Sequence, residues 1–119
     1  MLSIKNMVYQ VNTEEEFTTK IQSGKLVLVD FFATWCGPCK RIVPDLERLE
    51  SQYSDVIFIK VDVDELDDIS NEYKVQALPT FLFIRDGNEL SRVKGADVSM
   101  IESKLQSYDS SAFDTNQDF

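Results

Sequence analysis

The chain has 119 residues, 43% of them hydrophobic and 28% charged, which suits one soluble domain with its own core. Twelve Lys and Arg stand against 21 Asp and Glu with no His, a net charge of −9 that argues against nucleic acid and anionic membranes as partners. No apolar run approaches the ~20 residues that cross a bilayer. Met1-Leu2-Ser3-Ile4-Lys5-Asn6 resembles neither a signal peptide nor a transit peptide, so a reducing, cytoplasmic compartment is expected.

Met7 to Val11 reads as a short strand. Thr13 and Glu16 fit a capping box, in which each side chain bonds the other residue's backbone N–H, opening a helix to about Gln22. Gly24 suits the left-handed residue after its end. Leu26-Val27-Leu28-Val29 is apolar on both faces, as in a central strand covered by helices on both sides. A helical pattern from Lys40 to Tyr53 places Ile42, Leu46, Leu49 and Tyr53 on one face, with a kink expected at Pro44. Val56 to Val63 is the next strand, with Ile57, Ile59 and Val61 on one face. The acidic run Asp64 to Asp68 is expected to start a short helix ending near Tyr73. Thr80 to Ile84 and Glu89 to Val93 form a hairpin through Asp86-Gly87. Gly95 breaks that pattern, and Asp97 or Ser99 caps a last helix with Met100, Ile101 and Leu105 inward.

The order βαβαβαββα predicts an α/β fold with a mixed central sheet of about five strands and helices on both faces. Residues 1–108 are expected to form the domain, and 109–119, acidic and without periodicity, a disordered tail.

Chemistry concentrates in Trp35-Cys36-Gly37-Pro38-Cys39, which holds both cysteines and the lone tryptophan. Cys36 falls where a strand ends and a helix begins, and unpaired N–H groups there favour an anion, so its thiol loses a proton more readily. Cys39 lies one helical turn on, within reach of the Cys36 sulfur. A zinc site needs about four ligands, which this chain supplies only by sharing one between molecules. A structural disulfide closing so small a loop would constrain the unfolded chain little. A reversible dithiol/disulfide uses only what is present, and C-x-x-C in a βαβ setting carries that reading.

These residues resemble the thioredoxin family: Trp35 to Cys39 match its active-site motif and Val29 to Ala33 the strand before it. Leu78-Pro79-Thr80 is similar to its cis-proline loop, and Gly87 and Gly95 fall at its glycines. The resemblance runs from about Val8 to Tyr108 and implies the thioredoxin fold in a monomeric protein-disulfide reductase contributing to redox homeostasis and electron transport. It implies no bound cofactor. Disulfide-containing target proteins and an NADPH-dependent thioredoxin reductase are the implied partners. By that resemblance Cys36 attacks, Cys39 resolves, Gly37 and Pro38 tune the potential, and Asp30 exchanges a proton with Cys39. Lys60 resembles the family's lysine partner of that Asp, while Trp35, Leu78, Pro79 and Gly95 are implied to meet the target.

The residues themselves support part of this. Pro38 needs no N–H partner at a helix start, and Gly37 leaves the approach to the Cys36 sulfur open. Asp30 ends a buried apolar strand, where an ionised carboxylate is costly unless it turns to solvent. Trp35 either packs or meets a partner. Lys94 places a charge before Gly95 where many family members are small or apolar, and Leu78 is not their commonest residue before the proline. Two rival functions remain at this point: an oxidase or isomerase of the protein disulfide isomerase type, and an interaction module that keeps the fold for binding.

Overall fold

A computed structural model describes residues 8–109 of the chain. In chain order these form β1 (Tyr9–Gln10), α1 (Glu14–Ile21), β2 (Val27–Phe32), α2 (Gly37–Arg41), α3 (Val43–Gln52), β3 (Ile57–Asp62), α4 (Asp67–Glu72), β4 (Thr80–Arg85), β5 (Asn88–Lys94) and α5 (Val98–Tyr108). The expected mixed sheet of five strands is present in the order β1-β3-β2-β4-β5. β3 runs parallel to β1 and β2, while β4 runs antiparallel to β2 and β5. The expected tail lies outside the described residues from position 110 onward, as does Met7.

Strand periodicity decides the layers. In β2, Val27, Val29 and Phe31 face a cluster with Phe17 and Ile21 of α1 and Ile69 of α4. Leu28 faces the other way, toward Ile42, Leu46 and Leu49 and toward Ile101 and Leu105 of α5. Residues 27 to 31 are all buried, which fits an apolar run with helices on both faces.

Local chemistry accounts for most element ends and for four departures from expectation. Thr13 Oγ1 accepts the Glu16 N–H at 3.0 Å, but the Glu16 carboxylate reaches back to the Asn12 N–H at 2.8 Å and not to Thr13. Its other oxygen accepts from the Tyr9 hydroxyl, so the cap also ties α1 to β1. The kink expected at Pro44 is a full break. α2 ends at Arg41 and α3 restarts with Ile42 as its cap, because Pro44 lacks the N–H that would bond the Lys40 carbonyl. The acids Asp64 and Glu65 lie in the turn before α4, which begins only at Asp67. Met100 is exposed, not inward, because Ile101 and Leu105, four apart, already take the core stripe of α5.

The hairpin follows its turn residues. Asp86 and Gly87 have φ of +54° and +78°, the paired positive values that a tight two-residue hairpin loop requires. Asp97 caps α5 through Oδ1, which accepts the Met100 N–H at 3.0 Å, so Ser99 falls inside the helix.

Candidate active site

The carboxyl ends of β2, β3 and β5 and the amino end of β4 lie at one pole of the sheet, because β4 alone opposes β2. Each contributes one piece of the site. Ala33 and the turn after β2 lead into α2, whose N-cap is Cys36. Cys36 and Cys39 are joined as a disulfide with their Cα atoms 5.3 Å apart. The Cys36 sulfur also accepts the Cys39 backbone N–H at 3.2 Å. A sulfur in that position receives one of the N–H groups that the first turn leaves without a backbone partner, so negative charge on it is stabilised at source.

Exposure does not separate the two cysteines, at 5% for Cys36 and 4% for Cys39, even with the approach left open by Gly37. Their difference lies in the helix: one caps it, the other sits inside its first turn. Pro38 occupies the first turn, where its missing N–H costs nothing. A Cβ added at Gly37 would meet only the end of the Arg41 side chain, at 3.3 Å, so glycine here keeps an exposed rim low and is not forced by backbone geometry.

Asp30 does not end its strand, because Phe31 and Phe32 continue the pairing of β2, and it is buried, 5% exposed, and does not turn to solvent. Burial pushes its carboxyl up to about 7, against the opposing attraction of Lys60. Its Oδ1 accepts no hydrogen bond among the described residues. Lys60 pairs in register with Asp30 on β3, with its ammonium 5.3 Å from the centre of the Phe32 ring. Asp30, Lys60 and Cys39 line one cavity of about 380 Å³ with Phe32, Ala33, Thr34, Lys40 and Val43. Thr34, Lys40 and Val43 are exposed, so this cavity links a buried carboxyl and the inner cysteine to solvent.

The other expected residues are also gathered here. The Leu78–Pro79 bond is cis, Pro79 is buried, and Leu78 packs against the cluster of Ala33, Cys36 and Cys39. Gly95, at φ +90°, donates its N–H to the Pro79 carbonyl at 2.8 Å and so fastens the end of β5 to that loop. Trp35 is 68% exposed and is no core residue. Its indole N–H donates to Asp64 Oδ2 at 2.9 Å. Reducing the disulfide should change Trp35 emission, since the indole adjoins Cys36. Identical fluorescence spectra of the two redox states would place it beyond the influence of the sulfurs.

Sequence reasoning missed the support beneath Trp35. Asp62, buried at the end of β3, accepts the Asp64 N–H through Oδ1 at 2.9 Å and so sets the turn that presents Asp64. The Asp62-Val63-Asp64 spacing carries that signal, an Asp bonding the backbone two residues on, but it straddles the expected strand end at Val63 and the expected acidic helix start at Asp64. Val63 was read only as the strand end, whereas it packs against the disulfide cluster.

Comparison with known proteins agrees with this geometry. The thioredoxin family profile matches residues 8–107. The chain is 46% identical over 102 residues to Thioredoxin-2 of Saccharomyces cerevisiae, covering 85% of this chain and 98% of that protein. The crystal structure of thioredoxin NaTrxh from Nicotiana alata superposes with a TM-score of 0.83 at 39% identity, covering 91% of this chain and 97% of that one. Oxidised mitochondrial thioredoxin 3 from Saccharomyces cerevisiae gives 0.80 at 38% identity, covering 84% and 94%. A disulfide capping its own helix, on a sheet shared across its length with these proteins, makes this chain a member of the thioredoxin family and a thiol–disulfide oxidoreductase that reduces protein disulfides.

Proposed function

We propose that reduction proceeds through Cys36 as nucleophile and Cys39 as resolving thiol. The Cys36 thiolate attacks one sulfur of a target disulfide, breaking that bond, forming a mixed disulfide and releasing the other target sulfur as a thiolate that takes up a proton. Cys39 then loses its proton and attacks the Cys36 sulfur, giving the reduced target and the Cys36–Cys39 disulfide. Two electrons pass to the target. The observation that carries this assignment is the hydrogen bond from the Cys39 N–H to the Cys36 sulfur, which favours the thiolate on Cys36 and leaves Cys39 as the thiol that must be deprotonated.

Asp30 is the group proposed to exchange that proton, since it shares a cavity with Cys39 and titrates near neutral pH. Lys60 opposes the full desolvation of Asp30 and keeps it within reach of its ionised form. Trp35, Leu78, Pro79 and Gly95 form the rim on which an extended target segment rests, with the backbone of Leu78 available for strand-like pairing. Gly37 and Pro38 set the potential through the loop between the sulfurs.

The protein acts as a monomer, without a bound cofactor, in a reducing compartment, the cytoplasm. There an NADPH-dependent thioredoxin reductase returns the disulfide to the dithiol. Equilibration with reduced and oxidised glutathione tests the direction of electron flow. A reductase has a potential below that of the glutathione couple and consumes added glutathione disulfide. A value well above that couple would identify an oxidase instead.

A further inference from the structure

Charge is distributed unevenly around the disulfide. On the β3 side lies Asp64, whose carboxylate is engaged by the Trp35 indole. On the opposite side, two strands over, β5 ends in Lys94. Lys94 pairs in register with Thr80, the residue after Pro79, and the N–H of the next residue, Gly95, bonds the Pro79 carbonyl. Lys94 is therefore fastened to the loop whose Leu78 packs against the sulfurs. Alternation along β5 turns Val93 into the cluster beside α5 and sends Lys94 to the other face, where it is exposed. No carboxylate among the described residues lies within ion-pair distance of it.

A protein of net charge −9 repels acidic segments at long range. Salt screens that repulsion beyond about 8 Å under physiological conditions, so a docked segment senses chiefly the charges at the rim. On this side that rim carries Lys94, a lysine without a described partner. Asp97, just beyond it, has Oδ1 committed to the Met100 N–H.

We propose that Lys94 is a specificity-determining residue, selecting protein disulfides in which an acidic side chain flanks the cysteine under attack. This rests on the reductase reading above and extends it to the class of target. The carboxylate of the bound segment pairs with the Lys94 ammonium while Cys36 engages the adjacent sulfur.

Three disulfide-linked peptides test this, identical except that the residues flanking the reacting cysteine are Gln on both sides, Glu before it, or Glu after it. The native protein is expected to reduce one Glu peptide about threefold faster in kcat/KM than the Gln peptide, the scale of an exposed ion pair, with the difference in KM. Raising the salt concentration should shrink that ratio. Lys94→Gln should bring it to about one, and Lys94→Glu should invert it. Lys25→Gln changes net charge equally at the opposite pole, before β2, and should leave the ratio as in the native protein. If the Gln peptide is reduced but neither Glu position is favoured, or if the preference survives Lys94→Gln, the role of Lys94 is overturned and the reductase reading stands. A native protein that reduces none of the three overturns both.

Discussion

Cys36→Ser is expected to reduce no disulfide and to trap no target, whereas Cys39→Ser should still attack and then stall. The stalled species is a mixed disulfide between Cys36 and the target, because the thiol that would release it is gone. Helix position requires this asymmetry. The Cys36 sulfur is the N-cap of α2 and accepts the Cys39 N–H at 3.2 Å, while Cys39 occupies the first turn and its sulfur caps nothing among the described residues. After reduction, iodoacetamide at mildly acidic pH should therefore alkylate Cys36 much faster than Cys39, despite their equal burial in the oxidised form. Mass spectrometry of the trapped adduct decides the matter. A mixed disulfide through Cys39 would reverse the roles of the two thiols.

Asp30→Asn should have the second large effect, and in two opposite directions. The Asp30 carboxyl titrates at about 7 in the folded protein against an ordinary value of 3.8, because burial penalises its charged form. Below about pH 4 both folded and unfolded chains carry it neutral. Between about 4 and 7 the unfolded chain is ionised and the folded one is not, so unfolding releases a proton and stability falls as pH rises. Above about 7 the folded state ionises as well, and the whole cost stands. That cost is on the order of 4 kcal/mol as an upper bound, at about 1.4 kcal/mol for each tenfold change in the proton equilibrium. Urea unfolding should accordingly show Asp30→Asn more stable than the native protein at pH 8, with the gain fading toward pH 4. The same variant should resolve mixed disulfides more slowly near neutral pH, by up to about a hundredfold, since no carboxylate remains to accept the Cys39 proton. A variant with native stability across this range and native turnover would remove Asp30 from both roles.

Much of this arrangement was legible in the sequence because local rules agreed with one another. Residues 26 to 29 are apolar on both faces, Asp86-Gly87 supplies the positive φ values of the hairpin, and Asp97 caps α5. At the site, C-x-x-C spacing on a strand-to-helix turn located the disulfide, and a lone acid in an apolar run marked Asp30. Legibility failed where partners come from elsewhere in the chain. Glu16 accepts from the Tyr9 hydroxyl because β1 lies beside α1, and residue patterns inside the helix do not show that. Asp64 is indistinguishable in sequence from a helix-start acid, and Asp62 from a strand residue, until the Trp35 indole is seen on Asp64. Met100 met the helical spacing of a core residue, but the stripe on α5 is only as wide as Ile101 and Leu105.

The two cysteines lie three residues apart, so even a disordered chain can close their disulfide at little entropic cost. Everything else around them is non-local: Asp30 and Lys60 meet across β2 and β3, and Leu78, Pro79 and Gly95 arrive from 39 or more positions beyond Cys39. Sulfur chemistry thus belongs to a pentapeptide, whereas discrimination belongs to a completed sheet. A nascent or unravelled chain carries a reactive dithiol with no seat for a target and no buried acid beneath it. Competence to exchange electrons selectively emerges all at once, as a property of cooperative folding, and disappears with the same transition.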